Sequence, residues 1–381
     1  MDALENIRKL LEERFIRMKQ EKVNGKKVIG YIPGGYFPEE IALAAGAIPV
    51  AMLQGGDHSP VEQSIAYVAR WIDTFYRAQI GYALSGNDPT YNLIDALVVP
   101  ITDSNNRALS DTLAYHSDLE LIQFGVPHTK SDAACSYYRH GLQKLADKVA
   151  QLTGINITDQ LLQAAIKKCN RERELLKELA LIRRSGNTAL DATDFVMINH
   201  ASMLVDKDQF IENLENLVEE LKRADPSAAD GPRLLLTGST LALGDRKIFD
   251  MVTETGATIV AEEFAEGIKP FGYQVNLDGD PIDALAEAYF MERVAPAWFR
   301  PGNELPEHLI QLASDCAVDG VIWYQLLYRE SYKIHSAYFP EMLKKETGLS
   351  VLALDSDYDP AETGQMATRI ETYIESIRRV R

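Results

Sequence analysis

The feature that most constrains this chain is a recurring unit. A short apolar run ends in a cluster of glycine, hydroxyl or charged residues, and a helical pattern follows. Residues 28–30 lead into Tyr31-Ile32-Pro33-Gly34-Gly35, and Pro38-Glu39-Glu40 then opens a helix, where proline and acidic residues are favoured. Residues 96–99 stop at Pro100 and deliver Ile101-Thr102-Asp103-Ser104. Residues 119–127 form a further run, and runs at 234–236, 257–261, 317–332 and 348–358 repeat the style in the second half. Runs of this kind, alternating with helices, predict a parallel, doubly wound sheet that keeps ligand sites at the carboxyl ends of its strands.

Between the two sets of runs the period changes. Residues 1–22 read as an amphipathic helix, and another helix is expected over roughly 60–85. From about 133 to 225 the chain carries long helical periodicities, one of them capped at Thr158-Asp159. PSAADGP, residues 226–232, has the composition of a linker. At 381 residues the chain exceeds one comfortable core. The expected organisation is α/β: an N-terminal helix at 1–25, a first Rossmann- or flavodoxin-like domain at 26–132, a helical region at 133–228 and a second such domain at 229–381.

A formal net charge of −17 argues against a broad phosphate-neutralising face, so nucleic acid and anionic membrane surfaces are not expected partners. No run approaches the ~18 apolar residues of a membrane span, and the first residues lack a signal-peptide core, so a cytoplasmic protein is expected. Cys135, Cys169 and Cys316 are scattered without C-x-x-C spacing, which fits free thiols better than a disulfide framework. The seven histidines form no H-x-H or H-E-x-x-H arrangement, and no nucleophile elbow is present.

Four places merit chemistry, each with a plain structural alternative. Gly34-Gly35 lacks the lysine of a Walker loop and the G-x-G-x-x-G spacing. It is either a turn requiring positive φ or an opening where an acyl group approaches the backbone. Glu40 is either a solvated first-turn residue or a proton donor and acceptor facing the same crevice. TGSTLALGD, residues 237–245, resembles an anion-holding turn between strand and helix, or is simply such a turn. In YQLLYRESY, residues 324–332, the polar groups either bond one another or face a ligand or subunit.

In their order, GYIPGGYFPEEIALAAGAIPV, AYVARWIDTFYRAQIG, ALVVPITDSNNRALSD, AWFRPGNE and DGVIWYQLLYRESYKIHSAYFPEMLKKETGLSVLALDSDYD resemble the 2-hydroxyacyl-CoA dehydratase and benzoyl-CoA reductase family. FRPG followed by DGVIWYQLLYRES is most similar to subunits of the ATP-driven benzoyl-CoA reductase branch. The resemblance implies a subunit of an enzyme complex. A separate ATP-hydrolysing activator, itself carrying an iron–sulfur cluster, would inject a low-potential electron. A heterodimer of related α/β subunits would receive it on [4Fe–4S] clusters and pass it to an acyl-CoA. The ketyl radical formed there would either be reduced on an aromatic ring, as in anaerobic aromatic degradation, or eliminate water. The remaining alternative is a non-catalytic family member that binds an acyl-CoA or stabilises the complex.

The chain departs from the family at the cluster. Cysteines that the family carries four residues before the arginine matching Arg70, and immediately before the aspartate matching Asp103, are Ala66 and Thr102 here. A third, after the strand ending in Leu327-Tyr328-Arg329, is also missing. The resemblance therefore implies a cluster on the partner and no metal on this chain. It places Glu40, with Gly34 and Gly35, beside the acyl group. Thr102, Asp103 and Arg70 would mark the vacated cluster environment, with Tyr328, Arg329 and Glu330 at the corresponding place in the second domain. Arg300 would hold a CoA phosphate or form a surface salt bridge.

Overall fold

A computed structural model describes residues 1–185, 189–224 and 230–380. The expected linker falls at residues 226–232, and 226–229 lie outside the described residues. Strands β1 (Val28–Tyr31), β2 (Ile48–Ala51), β3 (Ala96–Ile101) and β4 (Glu120–Gly125) form a parallel sheet in the order β2-β1-β3-β4. Strands β5 (Arg233–Thr240), β6 (Thr258–Glu266), β7 (Gly320–Leu326) and β8 (Val351–Ser356) form a second parallel sheet, β6-β5-β7-β8. The two orders are the same, so each sheet has a switch point, between β1 and β3 and between β5 and β7. There the connections leave in opposite directions and open a crevice at the strand ends.

Helix α1 (Asp2–Val23) precedes the first sheet, whose crossovers are α2 (Glu39–Ala44), α3 (His58–Gln63), α4 (Thr74–Ser85) and α5 (Ser104–His116). Four helices follow: α6 (Asp132–Thr153), α7 (Asp159–Arg184), α8 (Ala192–Ser202) and α9 (Lys207–Arg223). The second sheet is wrapped by α10 (Lys247–Glu254), α11 (Pro281–Ala286), a π-helical stretch at Glu287–Glu292, α12 (Glu304–Asp315), α13 (Glu330–Thr347) and α14 (Thr363–Val380). No helix among the described residues is long and apolar enough to cross a membrane.

The strands form because their side chains have apolar partners on both faces. All seven residues of β7 are buried, as are seven of the eight in β5. One apolar core runs from the first sheet to the second. A smaller one, built on Leu176, Leu179, Phe195, Phe210 and Leu217, holds α1, α7, α8 and α9 together.

Two expectations are corrected. The helix read over 60–85 is interrupted, because Asp73 caps a new helix there: its Oδ1 accepts from the backbone N–H groups of Phe75 (2.9 Å) and Tyr76 (3.2 Å). The turn read at Thr237-Gly238-Ser239 is continuous strand, since β5 runs to Thr240. Gly238 is required there by packing. Its φ is +154°, and an added Cβ would fall 1.5 Å from the carbonyl oxygen of Tyr324 on the adjacent strand.

Candidate functional site

The carboxyl ends of the two sheets face each other, and two buried ionic centres lie between them. The first is built on Arg329, just beyond β7 and 1% exposed. Its guanidinium is held between the rings of Tyr76 and Trp298, each 5.1 Å from the cation. One Nη group meets Glu266 at the end of β6. The other lies 2.6 Å from Oδ2 of Asp103, a charge contact angled poorly for a hydrogen bond. Asp103 also caps α5 through the N–H groups of Asn105 (2.8 Å) and Asn106 (3.3 Å). The Asn106 amide donates to Tyr76 Oη at 2.9 Å and to Thr102 Oγ1 at 2.5 Å. The Thr102 carbonyl receives His128 Nε2 at 2.5 Å.

Charge at this centre is unbalanced. Asp73, Asp103 and Glu266 surround one guanidinium, and Asp73 Oδ2 is buried without a hydrogen-bond partner. Burial pushes the Asp73 carboxyl up to about 6, although Arg329 opposes the shift. Burial likewise pushes Glu266 up to about 7, against Arg329 and against the hydroxyl of Thr240, which donates to it at 2.9 Å. Buried carboxyls with raised pKa values can hold a proton near neutrality.

The second centre is built on α2, and here the expectation of a solvated Glu40 gives way. Glu40 is fully buried. Arg173 Nη2 donates to its Oε1 at 2.6 Å, and the Tyr289 hydroxyl donates to its Oε2 at 2.8 Å. Its neighbour Glu39 belongs to a closed ring of four charges. Lys207 and Lys269 donate to Glu39 Oε2 at 2.8 and 2.5 Å, and the same lysines donate to the two carboxylate oxygens of Glu172 at 2.8 and 2.6 Å. The Tyr31 hydroxyl completes Glu39 at 2.5 Å. Burial opposes its ionisation, yet Lys207 and Lys269 hold the Glu39 carboxyl well below the usual carboxylate range.

The glycine turn has the positive φ of its plain reading, and the group that lies against its backbone is an arginine of the chain itself. Gly34 and Gly35 have φ of +143° and +72°. The missing Cβ of Gly35 also lets the Arg293 guanidinium lie against the backbone, where Nη1 donates to the Gly34 carbonyl at 2.7 Å. A small cavity of about 30 Å³ adjoins the turn, lined by Gly34, Gly35, Glu39, Lys269, Tyr273 and Tyr289 among others. Of the two glutamates it is Glu39 that lines this cavity.

The remaining residues divide by position. The structure brings Thr102, Asp103 and Arg329 together, but Ala66 and Arg70 lie exposed on the segment before α4. Tyr328 is 40% exposed with φ of +67°, and Arg77 sits 5.8 Å above its ring. Glu330, the first residue of α13, is exposed. Arg300 is exposed and donates to the carbonyls of Ala297 (3.2 Å) and Phe299 (2.7 Å); it meets no carboxylate among the described residues. In YQLLYRESY most polar groups satisfy the fold itself. Tyr324 donates to Asp245 at 2.6 Å, and Gln325 to Asp355 at 2.6 Å.

The residues present do not fit an iron–sulfur cluster. Among the described residues no thiol borders Arg329. Cys135 faces Glu287 from the first turn of α6, Cys169 is buried in α7 near Glu40 and Lys207, and Cys316 ends α12 beside the start of β7. Burial raises the pKa of all three thiols, which disfavours the thiolates such clusters need. Among the described residues one group of three side chains could hold a metal ion, His58, Asp357 and Asp359, and it contains no sulfur.

Fold and site define a class of protein: a chain of two parallel α/β sheets whose strand ends meet across a buried ionic centre. The chain belongs to the 2-hydroxyglutaryl-CoA dehydratase D-component family, whose model matches residues 35–377. It is 21% identical over 380 residues to the (R)-phenyllactyl-CoA dehydratase beta subunit of Clostridium sporogenes, an alignment covering 99% of this chain and 97% of that one. It is 24% identical over 311 residues to a benzoyl-CoA reductase subunit of Thauera aromatica, covering 81% and 80%. A putative dehydratase subunit of Escherichia coli is 24% identical over 351 residues, covering 90% and 89%. Each is named as a subunit of an enzyme, some dehydratases and one a reductase.

Proposed function

We propose that this chain is the cluster-free subunit of a benzoyl-CoA-reductase-like complex. A related partner subunit carries the [4Fe–4S] centre, and an ATP-hydrolysing activator supplies the electron for reduction of an aromatic acyl-CoA. The observation that supports this reading is Arg329. A guanidinium clasped by Asp103 and Glu266 stands beside Thr102, where the family resemblance expects a thiolate-bound cluster. This chain's own residues then support the partner. Arg329 ties the two strand-end crevices, and the Glu39 and Glu40 centres fix the Gly34-Gly35 turn against which the acyl group would lie.

A second reading, a subunit of an (R)-2-hydroxyacyl-CoA dehydratase, is favoured by the dehydratase names of several relatives. Iron and acid-labile sulfide are counted on each separated subunit after anaerobic co-purification. Iron on the partner alone is expected, and stoichiometric iron and sulfide on this chain would overturn the cluster-free assignment. Turnover of benzoyl-CoA against a 2-hydroxyacyl-CoA by the assembled complex with its activator separates the two reactions. Turnover of neither substrate class would overturn both.

A further inference from the structure

We propose that the open edge of the first sheet is a docking groove for an extended, acidic segment of a partner protein, added as a fifth strand beside β4. The inference begins with how the four sheet edges are treated. Unpaired edge groups are a liability that folds usually cover. At β2, the outward N–H of Ala51 donates to the Met203 carbonyl at 3.0 Å, and the other outward position, Pro49, has no N–H. At β6, Arg183 donates to the Ile259 carbonyl at 3.1 Å. At β8, Arg369 donates to the Ala353 carbonyl at 2.6 Å.

Edge strand β4 has no such guard among the described residues. The N–H of Val126 bonds inward to Ile101 at 3.1 Å. Alternation along a parallel strand therefore turns the N–H and C=O groups of Leu121, Gln123 and Gly125 outward. They face a groove of about 430 Å³ whose floor is all six residues of β4 and whose wall is α6. Six strand residues give a groove roughly 20 Å long. Gly141 leaves that wall low opposite Phe124, and Tyr137, 58% exposed, closes one end.

Charge chooses the occupant. The wall carries His140, Lys144 and Lys148 at four-residue spacing, all exposed, against Glu120 on the strand. In a chain of net charge −17, neither lysine has a carboxylate partner among the described residues. A second copy of this chain pairing through β4 would bring two lysine rows together. An extended segment with carboxylates at alternate positions satisfies both the outward backbone groups and the row. This is the β-strand addition mode of recognition.

The test uses an array of fluorescein-labelled eight-residue peptides that alternate β-branched residues with Glu or Asp, titrated by anisotropy against the full chain. At least one should bind saturably and protect the Leu121 and Gln123 amides from hydrogen exchange. The paired reversal Lys144→Glu/Lys148→Glu should weaken that binding by about tenfold or more. Both lysines are exposed, so circular dichroism should show the variant folded. The same peptides with Lys in place of Glu, or with alternate residues N-methylated along one edge, should not bind. No binding across the array, binding indifferent to charge reversal, or sedimentation showing a dimer closed through β4 would each overturn the proposal.

Discussion

At the residue scale, Arg329 carries the greatest consequence. Its guanidinium answers carboxylates from both halves of the chain, Asp103 after β3 and Glu266 at the end of β6, and it is sealed from water. Removing one member of a buried ion group strands the others. Arg329→Met should therefore destabilise the chain by roughly 3–5 kcal/mol, read as a shift of the urea midpoint at unchanged slope. Arg329→Lys should recover little of this, because one ammonium cannot span two carboxylates as a planar fork does. Glu266 gives a matching pH prediction. Its folded pKa is raised to about 7, so between its ordinary range and about 7 the folded state binds more protons than the unfolded one. Stability contributed at this position then falls as pH rises. Glu266→Gln stays uncharged throughout, so its Tm relative to wild type should be higher at pH 8 than at pH 5. A pH-independent difference would mean that Glu266 is ionised across the whole range.

At the scale of elements, Asp103 does two jobs that substitution can separate. It caps α5 with one oxygen and meets Arg329 with the other. Asn caps helices about as well as Asp, so Asp103→Asn should lose the charge contact and keep the cap. Asp103→Ala should lose both, and be less stable than Asp103→Asn by about 1 kcal/mol in chemical denaturation. Equal losses would show that the cap contributes nothing here.

The strands and their polar ends were legible in the sequence because an apolar run stopped by glycine, proline or aspartate has few other readings. Thr102, Asp103 and Arg329 stood out for that reason. The ionic centre around Glu39 and Glu40 was only half visible. Glu172 and Arg173 sit in KKCNRERELLKE, where adjacent charges read as a solvated face. A signal was present all the same. Arg173 falls on one helical stripe with Ile166, Cys169, Leu176 and Ala180, all buried. Lys207 and Lys269, 62 positions apart, meet only through the fold, and no local period announces such a pair.

At the scale of the whole molecule, the two sheets are tied too closely to unfold separately. The main apolar core is continuous across them. Backbone also joins them: Gly55 N–H donates to the Leu243 carbonyl at 2.9 Å, and Leu243 N–H to the Leu53 carbonyl at 2.9 Å. Buried ion pairs bridge the rest, with Lys269 on Glu39 and Arg329 on Asp103. Separating the halves would expose apolar surface and leave these charges unmatched in each, so partial unfolding has no stable resting state. Equilibrium unfolding should thus be one cooperative transition. Trp298 and Trp323 are buried in the second half, whereas Trp71 in the first is already 72% exposed. The change in tryptophan fluorescence on unfolding therefore reports mainly the second half, while far-UV dichroism follows helices throughout. The two probes should give the same midpoint. A fluorescence transition at lower denaturant than the dichroism transition would mean that the second half loosens first, and that the Arg329 and Lys269 ties are too weak to couple the sheets.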